Sequence, residues 1–201
     1  MPGRENLKRQ DLIDFLTEPS SYPHNPAGVT HLQTHISDVF IVPPFVYKVK
    51  KPVDLGFLDF STLEKRKHFC HIEVELNRRL CPGVYLGVEE ITVTDGRLSI
   101  GGGGETLEYA VKMRELPGSG FFHEKLERGE IGEEDMRRIA RRLVDFYGSQ
   151  PRRDEVASYG SPEKIRVNID ENLSLSKKFI GGTITAEAYG ALFYYNVRYF
   201  S

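Results

Sequence analysis

A chain of 201 residues can form one domain with a sizeable core, or one and a half smaller units. Its 39% hydrophobic and 28% charged residues are ordinary for a globular chain, and a formal net charge of −2 gives no bulk attraction to nucleic acid or to a membrane surface. No apolar stretch approaches the roughly 18 residues that a membrane helix needs, and MPGRENLKRQDL at the N-terminus has no secretory apolar core. Cys70 and Cys81 are the only cysteines and fall on or near one helix, so they read as reduced thiols of a cytoplasmic protein.

In chain order, Leu7 to Thr17 carries Leu12, Ile13 and Leu16 against a charged face and reads as a short amphipathic helix. Residues 19–28 form a loop rich in Pro, Ser and Asn. Val29 to Val53 is rich in β-branched and aromatic residues and predicts two or three strands, with Pro43-Pro44 turning between the second and third. The connection to Phe60, PVDLGFLDF, is unusually apolar and is expected to pack on the sheet. Ser61 with Glu64 makes a capping box for a helix over 61–80, along which Leu63, Phe69, Ile72, Leu76 and Leu80 recur. Pro82-Gly83 stops that helix.

Tyr85 to Thr94 and Arg97 to Ile100 are strands joined by the two-residue turn Asp95-Gly96. Gly101 to Gly104 has no following Gly-Lys-Ser/Thr, is no Walker phosphate loop, and reads as a flexible connection between hairpin strands. Leu107 to Met113 is a further strand, and strand order is expected to follow the hairpin connections. Helices are predicted over 121–128 and 133–147, and a further one starts at Ser161-Pro162-Glu163. From Thr185 an aromatic helix with Tyr189, Leu192, Phe193 and Phe200 runs to the chain end and calls for a partner surface.

Lys48 and Lys50 share strand parity with Val46 and so face one side. An ammonium there can act as a point charge on a phosphate, while an exposed edge guarded by lysines is the plainer alternative. Glu73 borders the apolar stripe of the next helix and can reach a lysine on the adjoining sheet; Glu75 points about 200° away, toward solvent. Thr34, His35 and Ser37 lie in a turn whose hydroxyls and amides can cradle a phosphate, or which is an ordinary turn. The pairs His31/His35 and His68/His71 lack a third ligand and read as surface or packing residues.

THISDVFIV (34–42), VYKVKKPVDLGFLDFSTLEKRKHF (46–69), ELNRRLCPGVYLGV (75–88), YAVKMRELP (109–117) and YGSPEKIR (159–166) resemble a bacterial family of aminoglycoside-phosphotransferase-like proteins with a protein-kinase-like fold. The resemblance implies an α+β architecture: residues 1–28 as a helix and loop, 29–117 as an ATP-binding lobe, and 118–201 as helices of an incomplete second lobe. The lobe would hold an antiparallel sheet of about five strands and a flanking helix. It implies Lys48, with Lys50 in reserve, as the ligand of ATP phosphates and Glu73 as its partner. Ser37, Thr34 and His35 would form the phosphate-covering turn. Met113 would guard the adenine pocket, and Arg114, Glu115 and Leu116 would offer hinge backbone to adenine.

The HGDxHxxN-like catalytic loop and later Mg²⁺-binding Asp of such families do not occur in these 201 residues. The expectation is therefore the ATP-binding half of a small-molecule phosphotransferase, using ATP and Mg²⁺ in a complete protein and inactive as this stretch. The alternative is a non-catalytic nucleotide- or partner-binding module. The acceptor is unspecified, nucleic acid and membrane are not expected as partners, and the aromatic terminal helix favours self-association.

Overall fold

Alternation along one strand organises the first part of the chain. In Phe45–Lys50, Tyr47 and Val49 point to one side of a sheet, and Val46, Lys48 and Lys50 to the other. The computed structural model describes residues 8–199. Leu7 and Phe200, at the ends of the first and last expected helices, lie outside the described residues. The chain divides into two compact units between Met136 and Arg137.

The first unit is built on a six-stranded antiparallel sheet: β1 (Thr30–Gln33), β2 (Ser37–Val42), β3 (Phe45–Lys50), β4 (Tyr85–Thr94), β5 (Arg97–Ile100) and β6 (Glu105–Arg114). Together with its helices this makes the fold α+β. The order is β1-β2-β3-β6-β4-β5, which corrects the expectation that order follows the hairpins. The last strand lies in the middle of the sheet, and its residues from Glu108 through Tyr109 and Ala110 to Val111 are buried on both faces. Six strands stand where about five were expected, because residues 29–53 form three strands, the larger of the two numbers their sequence allowed.

At the β4–β5 turn Asp95 and Gly96 both take positive φ, 50° and 77°, as a two-residue hairpin requires. The four glycines after β5 are no slack tether between paired strands. They lead from β5 to β6, which lie on opposite sides of β4, and a Cβ on Gly104 would sit 2.7 Å from the Val93 carbonyl oxygen. Pro43–Pro44, a cis bond, turns β2 into β3.

One sheet face is closed by α1 (Arg9–Thr17) and the segment after it. Leu12 and Leu16, one turn apart, bury against Phe40, Val42, Tyr47, Val49, Ile91 and Ala110. The Tyr22 hydroxyl donates to the Leu16 carbonyl at 2.6 Å, and its ring packs 5.1 Å from that of Tyr47. Each such side chain contributes about 1.5–3 kcal/mol on burial.

The other face receives α2 (Leu63–Arg78). Its N-cap is Thr62, whose hydroxyl accepts from the Lys65 amide; the expected cap, Ser61, lies one residue too early because it is held by Asp59. The buried side of α2 is Arg66, Cys70 and Val74, packed on Tyr109 and Val111. This corrects the expected stripe: Leu63 and Ile72 are half-buried, but Phe69, Leu76 and Leu80 are exposed, Leu76 at 49%. The reason is ionic. Arg66 Nε reaches both oxygens of buried Glu108 at 2.9 Å, and its guanidinium donates to the carbonyls of Phe60 and Ser61. A fully paired cation can therefore occupy an inward position. Of the apolar connection before α2, only Phe60 is buried, while Phe57 and Leu55 are exposed.

After β6 in the chain come α3 (Phe122–Glu127), α4 (Glu133–Gly148), α5 (Asp154–Ser158), α6 (Pro162–Ser176) and α7 (Ala186–Tyr199). Ser161 caps α6 by accepting from the Lys164 amide, as its sequence signature requires. The short α5 had no counterpart in the sequence reading. In the second unit the Tyr189 hydroxyl of α7 donates to the Leu173 carbonyl of α6 at 3.0 Å. None of the described residues from 137 onward is buried.

Candidate functional site

β3 and α2 bring three of the expected site residues together. Lys48 Nζ donates to Glu73 Oε1 at 2.8 Å, and Lys50 Nζ donates to Glu73 Oε2 at 2.6 Å. Both lysines thus reach the same carboxylate from alternate positions of one strand. Glu73 gets there because it adjoins Val74 and lies one turn after Cys70, on the side of α2 that meets the sheet. Glu75 is exposed.

Burial acts to raise the Glu73 carboxyl pKa. The hydrogen bonds and charges of Lys48 and Lys50 outweigh it, and the group ends below its ordinary value. The lysines are unequal. The Lys50 side chain is 5% exposed, with its ammonium 4.7 Å from the centre of the Phe60 ring, whereas that of Lys48 is 28% exposed.

On the same sheet face, an apolar cavity of about 520 Å³ lies beside the pair. Its lining includes Val39 and Ile41 from β2, Val46 from β3, and Met113 from the end of β6. Register makes the two features continuous: Val39 pairs with Lys48, Ile41 with Val46, and Val46 with Met113. Tyr85 spans them; it lines the cavity, and its hydroxyl is raised by burial and then by the charge of Glu73, with Lys48 opposing. The volume falls in the range of small-ligand pockets, and the lining is of the apolar kind they favour.

The expected hinge residues Met113, Arg114, Glu115 and Leu116 all line this cavity. Their amides are not equally available. The Arg114 N–H donates to the Val84 carbonyl at 2.8 Å and the Glu115 N–H to the Pro44 carbonyl at 2.9 Å. Leu116 keeps its N–H out of this ladder.

The 34–37 turn is braced by its own hydroxyl and by the end of β3, where the Lys51 amide donates to the Ile36 carbonyl at 2.8 Å. The Thr34 hydroxyl donates to the Ser37 carbonyl and accepts from the Ser37 amide at 2.9 Å, which shapes the turn. Ser37 is fully buried, and its hydroxyl has no partner. His35 is exposed at the tip. Lys51 Nζ donates to the Thr34 carbonyl at 2.8 Å, so a third lysine of the run ties the end of β3 to this turn. The sequence reading did not single out Lys51; its place beside two pattern-matched lysines was the available signal.

Cys81 lines the cavity and is exposed, whereas Cys70 is buried, its thiol pushed up to about 12 by loss of solvent. His31 Nε2 lies 3.1 Å from Asp38 Oδ1, where the carboxylate can only accept, and the ring stacks on Phe40, a packing role. Among the described residues no group of three or more His, Cys, Asp or Glu is placed to hold a metal ion. Among them, too, no helix is long and apolar enough to cross a membrane.

No family model matches the chain, and no solved structure matches it. It is similar to uncharacterised proteins of Mycobacterium bovis and of two strains of Mycobacterium tuberculosis, each 39% identical over 64 residues. The match covers 32% of this chain and 13% of each mycobacterial protein, so the chain spans a small part of the length of these relatives.

Proposed function

We propose that residues 29–117 are the ATP-binding lobe of a protein-kinase-like phosphotransferase acting on a small hydroxylated molecule. The observation that carries this reading is the shared carboxylate of Glu73, held by Lys48 and Lys50 at one end of an apolar cavity. A lysine on the third strand paired with a glutamate on the following helix is the phosphate-positioning device of that fold. The rest of the site fits it. Val39, Ile41, Val46 and Met113 offer an apolar slot for a planar base, and of the expected hinge amides that of Leu116, unlike those of Arg114 and Glu115, is not held in a sheet hydrogen bond and would serve as its donor. Bound ATP would supply the phosphoryl group. This chain's residues would hold the base, and Lys48 would hold a phosphate oxygen.

No His-Gly-Asp motif occurs in the sequence, and no group of three or more His, Cys, Asp or Glu placed to hold a metal ion lies among the described residues. The reading therefore assigns these residues binding and no proton transfer. The same observation favours a second reading, a nucleotide-binding module without catalysis.

Alkylation of the two cysteines tests the shared part of both readings. Iodoacetamide should modify Cys81 and spare buried Cys70, and ATP should slow modification of Cys81 in the native chain. Unchanged Cys81 labelling at saturating millimolar ATP would sink the nucleotide reading. A coupled ADP-release assay then separates the two readings, with no turnover expected from the 201-residue chain.

A further inference from the structure

Two ammonium groups share one carboxylate, so the site keeps one positive charge that Glu73 does not neutralise. The two lysines hold different positions. Lys50 is enclosed: its side chain is 5% exposed, Phe60 covers its ammonium, and its strand partner is the fully buried Ser37. Lys48 is 28% exposed and sits in register with Val39, a cavity-lining residue.

A lone lysine–glutamate pair faces a conflict when an anion arrives. The lysine must turn toward the phosphate, and a buried carboxylate that loses its counter-charge is strongly destabilised. Here the second lysine removes the conflict. Glu73 offers one oxygen to each ammonium, so it remains paired through Oε2 when Oε1 is vacated.

We propose that Lys50 is a positioning residue that keeps Glu73 compensated and thereby frees Lys48 for a phosphate of ATP. The inference rests on the nucleotide reading above and adds a role to a lysine that the kinase-like device does not use. Without Lys50, Lys48 becomes the sole counter-charge of Glu73 and is held back from the ligand.

The test compares ATP with adenosine by NMR titration of the full 201-residue chain, which reads weak affinities. In wild type, one charge-assisted contact gives ATP a preference over adenosine of roughly tenfold or more. Lys50→Met should leave adenosine affinity unchanged and lower the preference to about twofold, as Lys48→Met does, and Lys50→Arg should restore it. Should Lys50→Met fail to fold, Lys50→Gln removes the charge while retaining a donor for Glu73, and should show the same loss. A merely structural Lys50 would instead weaken both ligands together and keep their ratio, and that result would overturn the proposal.

A ligand-free measurement separates this failure from failure of the nucleotide reading. Reductive methylation of Lys48, followed by mass spectrometry relative to Lys51 in the same sample, should slow in Lys50→Met because Glu73 then holds Lys48 alone. If wild type binds neither ligand, the nucleotide reading falls and methylation alone judges the role of Lys50. Unchanged Lys48 methylation would refute it.

Discussion

The two faces of the sheet differ in what they leave open. On the α1 face, Tyr47 and Val49 of β3 meet Phe40, Val42, Leu12 and Leu16 in a closed core. On the α2 face Lys48 and Lys50 meet Glu73 of a helix that covers β6 through Cys70 and Val74, while Val39, Ile41 and Val46 line a cavity. One strand thus joins a core with its odd-numbered residues and, with its even-numbered ones, carries the Glu73 ion pair and borders a cavity. The faces should therefore respond differently to substitution, the closed one in stability and the open one in binding.

The largest expected effect is on the closed face. Phe40 is fully buried between β1 and β3, and Phe40→Ala should cost about 3–5 kcal/mol of unfolding free energy. Denaturant titration checks this; a loss under about 1 kcal/mol would show that this face is not the close-packed side. Because Phe40 lies on the other face from Lys48, the folded fraction should keep its preference for ATP over adenosine.

An intermediate effect is expected at Glu73. Glu73→Gln leaves two ammonium groups beside each other without a carboxylate, and should cost about 2–3 kcal/mol at neutral pH, somewhat less than for a fully buried pair because Lys48 is partly solvated. The pH dependence carries the sharper sign. The Glu73 carboxyl is lowered in the folded chain, so its contribution is fully present above the unfolded value of roughly 4.3 and is lost as pH falls through the lowered folded value. The stability gap between wild type and Glu73→Gln should be flat from about pH 6 to 8 and shrink below about pH 4. A gap that instead widened on acidification would mean that the ion pair is absent in solution.

Much of this arrangement was legible in local sequence. Asp95-Gly96 demanded a tight hairpin because both positions need positive φ, and strand parity placed Lys48 and Lys50 on one side. Other parts depended on long-range partners. Arg66 faces inward only because Glu108, forty-two residues later, is buried opposite it, so hydropathy spacing selected Phe69, Leu76 and Leu80 instead. The entry of β6 between β3 and β4 is likewise a non-local pairing, and it is what carries Met113 to Leu116 to the cavity. The resemblance to phosphotransferases pointed to those four residues, but only the backbone shows that two of their amides are already used.

That last distinction gives the smallest and most specific prediction. Leu116 precedes Pro117, so its backbone is already biased to an extended conformation, and Leu116→Pro removes an N–H without breaking a sheet hydrogen bond. Stability should change by less than about 1 kcal/mol. Adenosine and ATP should both weaken by about threefold to tenfold, the value of one hydrogen bond to the base, and their ratio should be preserved because the phosphate end is untouched. The pattern is the inverse of that expected for Lys48→Met, which alters the ratio and spares adenosine. Parallel titrations of the two variants would place the base and the phosphates at opposite ends of the site. If Leu116→Pro left both affinities unchanged, the base would not lie against the strand end, and the cavity would hold its ligand in another orientation.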